Sequence, residues 1–192
     1  MITNDRDYRA FEVRTAGDNE CRVEGYAAVF NREAVLYEFD GQEYKEVIDP
    51  HCFDNTQMSD VVMNYNHGGK PVARTKNGTL TLSVDEAGLK VEADLSGTDE
   101  GRRLYEEIKG GYIDQMSFAF TVDDDEYDKK THTRRITAIK RLYDVAAVDI
   151  PAYDATSISA RSYFSAEAEK EAAEAAERER RKQKIKLMME VV

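Results

Sequence analysis

The chain is poor in the residues that build cross-links and metal centres. It has only two cysteines, Cys21 and Cys52, and they form no CxxC pair. That excludes a disulfide framework and points to free thiols in a reducing compartment. Histidines number three: His51, His67 and His132. His51, Cys52 and Asp54 are close in sequence, but their spacing fits no standard zinc motif. No metal and no cofactor is expected. No apolar run is long enough to span a bilayer. Met1-Ile2-Thr3-Asn4-Asp5-Arg6 lacks the apolar segment of a signal peptide. A soluble, intracellular protein with no membrane partner is the expectation. Positive charge is also in deficit, with a formal net charge of -11. An acidic surface argues against nonspecific nucleic-acid binding by the body of the protein. No internal repeat is present.

What remains is a chain of 192 residues rich in alternating apolar positions. That length suits one domain of ordinary size plus an appendage. Tyr8 to Arg14 alternates, with Phe11 and Val13 on one side. Val23, Gly25, Ala27 and Val29 share a face in a second strand, where Gly25 marks a bulge or the close approach of another backbone. Tyr44 to Ile48 is a short strand stopped by Asp49-Pro50. A polar helical turn is expected from Phe53 to Asp60. Val61, Met63 and Tyr65 then lead to His67-Gly68-Gly69, read as a strand end and a glycine turn. Leu80, Leu82 and Val84 alternate, as do Leu89, Val91, Ala93 and Leu95. The turn Asp85-Glu86-Ala87-Gly88 joins them in a hairpin. Thr98 caps a helix with Asp99 and Glu100 at its positive end, and Leu104, Tyr105 and Ile108 form its buried stripe. Gly110 and Gly111 end it.

A strand follows at once. Met116, Phe118, Phe120 and Val122 point one way; Ser117, Ala119 and Thr121 point the other. The first face is core. The second carries a lone hydroxyl with small neighbours, which leaves room above it for a polypeptide chain. The acidic run Asp123 to Asp128 lacks the sixth-position glycine and twelfth-position glutamate of a calcium loop and reads as the solvated tip of a polar hairpin loop. Arg135 to Leu142 and Tyr143 to Ile150 read as strand up to Pro151. Strands outnumber helices, so the fold class is β-rich α+β. A closed or nearly closed β-barrel with peripheral helices would cover so many edges.

Composition changes at Ser165, so residues 1–164 are read as the body and 165–192 as a tail. The tail holds seven glutamates and seven lysines or arginines, and no glycine or proline. Such a segment is a strong helix former with many i,i+4 charge pairs. It has almost no apolar stripe before Ile185, Leu187, Met188 and Met189. The expectation is a helix with few contacts to the body, dispensable for its stability. Its apolar end would dock on an acidic protein surface or on another copy of the tail; the alternative is a solvated, frayed helix with no partner.

The residues able to carry chemistry are Ser117, His67 and an acid. An imidazole can take the serine proton and return it to a leaving amine while a carboxylate fixes its tautomer. Two acids compete for the third place. Asp144 shares a strand face with Ala146, Val148 and Ile150; Asp149 lies on the opposite face beside Val145 and Ala147. Arg134, Arg135 and Arg141 are near enough in sequence to be considered for stabilising an oxyanion.

The order of motifs resembles the prohead proteases of tailed bacteriophages, over roughly residues 8 to 162. Gly25-Tyr26-Ala27-Ala28-Val29-Phe30 comes first. Glu46-Val47-Ile48-Asp49-Pro50 then leads into Phe53, followed by Asn66-His67. The hairpin with Gly88-Leu89-Lys90-Val91-Glu92-Ala93 and the helix from Thr98 to Lys109 come next. Gly111-Tyr112-Ile113 through Met116-Ser117-Phe118-Ala119-Phe120 precedes Leu142-Tyr143-Asp144-Val145-Ala146-Ala147-Val148 and Pro151-Ala152. The resemblance implies a herpesvirus-protease-like β-barrel ringed by helices. It implies cleavage of the scaffold protein, or of the scaffolding segment of the major capsid protein, inside the procapsid in the host cytoplasm. Ser117 would be the nucleophile, His67 the general base and Asp144 the third member. The family motif usually has glutamate at Asp144 and serine near Ala146, so this chain departs from it there. The alternative is a non-catalytic assembly or scaffolding protein that keeps the barrel.

Overall fold

The computed structural model describes residues 7–16, 21–149 and 158–190. Ten strands and two long helices follow in chain order among them: β1 (Asp7–Thr15), β2 (Arg22–Val29), β3 (Ala34–Phe39), β4 (Gln42–Ile48), β5 (Val62–Tyr65), β6 (Gly68–Arg74), β7 (Leu80–Val84), β8 (Gly88–Asp94), α1 (Asp99–Lys109), β9 (Gln115–Asp128), β10 (Thr133–Val148) and α2 (Ile158–Glu190). The strands form one sheet in the order β3-β4-β10-β9-β1-β2-β8-β7. β5 joins β10 farther along its length, and β6 adds to β5. The sheet curls into a half-barrel; among the described residues it does not close. No helix among these residues is long and apolar enough to cross a membrane.

The concave side holds the core. Met116, Phe118 and Phe120 are fully buried there, and the last two rings stack at 4.6 Å. Burial of each such side chain contributes about 1.5–3 kcal/mol. Gly25 permits the close approach its position suggested: it pairs with Val13 of β1, and a Cβ there would sit 2.5 Å from the Glu12 carbonyl oxygen. The bulge lies next door, between Tyr26 and Ala28. The β7–β8 hairpin pairs Val84 with Leu89 around the expected turn. The Thr98 side chain accepts from the Gly101 N–H, and Leu104, Tyr105 and Ile108 are buried. Beyond α1, Gly111 takes the left-handed conformation at φ 71°.

Several local readings differ from the fold. Residues 50–55 form successive turns rather than a helical segment. The reason is Gln57, which hydrogen-bonds Lys140 and Leu142 of β10 and draws the chain out straight. The acidic run is strand, not loop: β9 continues to Asp128, paired with Thr133. Arg134 on β10 meets Asp125 at 2.6 Å and Glu46 at 3.4 Å, so the acids have a cation across the ladder. β3 and β6 went unread because both are edge strands. β6 carries Gly68, Gly69 and Pro71, tolerable where one edge needs no ladder.

The tail differs most. α2 begins at Ile158, and its early turns are docked. Phe164 is fully buried and Ala168 nearly so, in a cluster with Leu36 and Tyr44. The Arg134 guanidinium lies 4.1 Å from the Tyr163 ring centre. Tyr127 donates to Glu171 at 3.1 Å, and Lys129 pairs with Glu174 at 2.8 Å. Burial pushes the Tyr163 hydroxyl up to about 12. The expectation of few contacts therefore fails up to Glu174. A pair of apolar residues spaced i,i+4 was enough to seat the helix, because aromatic rings and opposite charges lined the seat. Past Glu174 the described side chains are exposed, Ile185 and Met188 among them.

Two outcomes are expected. Phe164→Ala costs about 3–5 kcal/mol of docking free energy. Amide exchange in residues 163–174 then becomes fast while β9 and β10 keep their protection; equal loss in both would show that helix and sheet unfold as one unit. The second concerns Cys52, which is 2% exposed and whose thiol burial pushes up to about 12, helped by Asp49 and Asp54. At pH 8 only about one such thiol in ten thousand is ionised, and the thiolate is the reactive form. Iodoacetamide should modify Cys21 in the native protein and spare Cys52 until it unfolds. A rapid double adduct in the mass spectrum of native protein would contradict this.

Candidate active site

Three neighbouring strands define one row on the convex face of the sheet. Ser117 of β9 pairs with Ala146 of β10, and Ala146 pairs with Asn64 of β5. Paired residues share a face, so Ser117, Ala146 and Asn64 all point away from the core. The adjacent row on that face is Ala119, Asp144 and Val62.

Asp144 reaches this face because of a bulge. Leu142 pairs with Phe120 and lies in the core. In a regular strand Asp144, two residues on, would point into the core as well. Instead Asp144 pairs with Ala119, the residue beside Phe120, and Tyr143 is the additional residue. The extra residue turns the carboxylate outward, towards the serine. Val145 and Ala147 then fall back into the core.

His67 comes from the turn between β5 and β6. Tyr65 pairs with Gly68, which leaves Asn66 and His67 as a two-residue hairpin loop. Both have positive φ, 49° and 55°, as a type I′ turn requires. The turn is therefore Asn66-His67 itself, and the two glycines open β6. The loop folds back over the convex face, and His67 Nδ1 lies 2.5 Å from Asp144 Oδ1. Asp144 is 5% exposed. Asp149 is engaged elsewhere: it accepts from the Tyr65 hydroxyl at 2.9 Å, which raises that phenol above its ordinary value.

The open space expected above Ser117 is absent. Ser117 is 1% exposed, and Ala146 and Val148 on the same face are buried in a small cluster of their own. The His67 turn, in reaching Asp144, crosses that face. Ser117 Oγ and Asn64 Oδ1 are both buried with no hydrogen-bond partner among the described residues. A buried polar atom without a partner is costly, and a catalytic role is one of the reasons a native structure keeps one. Asn64 was not singled out in the sequence. Its signal was an amide in the apolar strand Val61-Val62-Met63.

The arginines considered for an oxyanion are held by other partners. Arg134 is enclosed by Asp125, Glu46 and Tyr163; its partner on β9, Tyr127, is eight residues from Ala119, the partner of Asp144, so it lies roughly 26 Å along the strand. Arg135 bonds Asn31 and Asp49, and Arg141 lies 4.9 Å from the Tyr143 ring centre. His51 is exposed and 3.3 Å from Asp54, while Cys52 is buried in the core. Those three side chains do not converge. Among the described residues no three His, Cys, Asp or Glu side chains cluster to hold a metal.

Comparison with known proteins bears on this arrangement. Residues 9–172 match the family model of the caudovirus prohead serine proteases. The chain is 30% identical over 156 residues to the prohead protease of Enterobacteria phage HK97. That alignment covers 78% of this chain and 64% of the phage HK97 protein, so the chain spans less than two thirds of its relative's length. No solved structure matches the chain. The match extends from the first strand through the docked turns of α2, and takes in the serine strand, the His67 turn and the bulged strand between them; the chain belongs to the caudovirus prohead serine protease family.

Proposed function

We propose that the protein is a serine endopeptidase of phage head maturation, with Ser117 as nucleophile, His67 as general base and Asp144 as the group that orients His67. The observation that carries this reading is the 2.5 Å contact between His67 Nδ1 and Asp144 Oδ1, on the sheet face that also holds the buried Ser117 hydroxyl. In this reading Nδ1–H donates to the carboxylate, and Nε2 is the nitrogen that takes the serine proton. Ser117 Oγ attacks the scissile carbonyl carbon and forms the new C–O bond. The proton on His67 passes to the leaving amine as the C–N bond breaks. Water then attacks the acyl-enzyme and gives its proton to His67; the ester C–O bond breaks as His67 passes that proton to Ser117 Oγ, and the new carboxyl terminus leaves.

The substrate is the scaffold protein or the scaffolding segment of the major capsid protein, and the reaction takes place inside the procapsid. Family membership supports this choice. The half-barrel, with its site on the convex face, is read as a herpesvirus-protease-like barrel. The scaffolding alternative is less favoured, since it gives no reason for a bulge that brings a carboxylate to a histidine.

Ser117→Ala should lower turnover by roughly 10⁴ to 10⁶. Its melting temperature should hold or rise, because the buried hydroxyl has no partner to lose. The assay co-expresses the chain with the capsid protein of its phage and measures shortening at defined sites; shortening at the wild-type rate in the variant would refute the mechanism. Asp144→Asn keeps the shape but loses the acceptor that selects the tautomer, so kcat should fall about 10⁴-fold. A loss below tenfold would remove Asp144 from the mechanism.

A further inference from the structure

A cavity of about 850 Å³ opens between α1 and the turn that carries His67. Its floor is apolar: Val72, Leu104 and Ile113, all buried. Two tyrosines wall it. Tyr65 is 41% exposed and fixed by its bond to Asp149. Tyr112 is 83% exposed, and its ring lies on the bare backbone of Gly110, where a Cβ would come within 2.9 Å of it.

The cavity lies beyond one end of the site row. Ile113 lies four residues before Ser117 on the chain entering β9. Asp149 lies three residues after Ala146, and Asn66 two after Asn64. All three line the cavity. The pairing register sends these three segments off the row at the same end. At about 3.3 Å per residue, the cavity begins roughly 7–13 Å from the nucleophile. An extended substrate lying along β9 would advance by the same step, which would carry its residues two to four from the cut bond over the cavity.

The lining states what it would take. The floor offers no polar group. At the rim Lys70 pairs with Glu100 at 3.2 Å, Arg103 stands one helical turn from Glu107, and Asp149 is bonded by the Tyr65 hydroxyl, so two cations face three carboxylates. Apolar floors with aromatic walls and a few polar rim groups receive apolar side chains. We infer that the cavity is a specificity subsite, taking a large apolar or aromatic side chain of the peptide substrate two to four residues from the bond cut at Ser117. The inference rests on the protease reading above.

The test uses the full chain and a proteome-derived peptide mixture, with cleavage products identified by mass spectrometry. Phe, Leu, Met, Tyr or Ile should be enriched at one fixed position two to four residues from the cut. For the best-cleaved peptide, the version with Phe at that position should exceed the version with Ala in kcat/KM by about tenfold or more. In Tyr112→Ala, whose lost ring is exposed and outside the core, this ratio should fall towards one, mainly through KM. An absence of apolar preference, or a ratio unchanged in the variant, overturns the subsite. Labelling of Ser117 by a fluorophosphonate separates the two levels. Labelling without preference rejects the subsite alone, whereas neither labelling nor cleavage rejects the protease reading and the subsite together.

Discussion

β9 and β10 exchange backbone hydrogen bonds from Asp128 and Thr133 at one end to Gln115 and Val148 at the other. β9 also lends its far edge to β1, and β10 lends its own to β4 and then β5. An error of one residue in this ladder would exchange core and convex faces for every strand attached to it. The bulge at Tyr143 is such a one-residue shift, placed between a leucine that must be inside and an aspartate that must be outside. Without it the carboxylate would lie among Phe118, Phe120 and Leu142, where burial of an unpaired charge costs several kcal/mol. The placement of Ser117 and Asp144 thus follows from the pairing, and the turn between β5 and β6 adds His67 to them.

Legibility in the sequence followed the range of the determining forces. The β7–β8 hairpin and α1 are set by alternation, turn residues and a cap within a few positions of one another, and both were readable. So was the close approach at Gly25, since a glycine in a strand has few other reasons. Ser117, His67 and Asp144 could be named as residue types on suitable elements, but spacing left Asp144 and Asp149 open. What turns Asp144 to the serine face is the bulge at Tyr143, and a bulge is a property of two strands. Asn64 escaped for the same reason: its meaning depends on a serine two strands away.

The tail shows the opposite failure. Its composition speaks for a solvated helix, and past Glu174 that description fits. The seat for its first turns is built from Leu36, Tyr44, Tyr127 and Arg134, which are remote from it in sequence. Arg134 is one of three arginines near enough in sequence to be considered for an oxyanion. It is instead enclosed by Asp125, Glu46 and the ring of Tyr163, which spend its charge on joining the helix to the sheet.

The docked contacts of α2 end at its midpoint, Glu174. From Glu174 to Glu190 the helix runs on for about 24 Å at 1.5 Å per residue. A compact chain of this length has a radius of gyration of about 16 Å, so the overhang is longer than that radius. The molecule has the outline of a pin, with a rounded head and a charged shaft. Its friction in water is that of an elongated particle, and it should sediment more slowly and elute earlier than a sphere of equal mass.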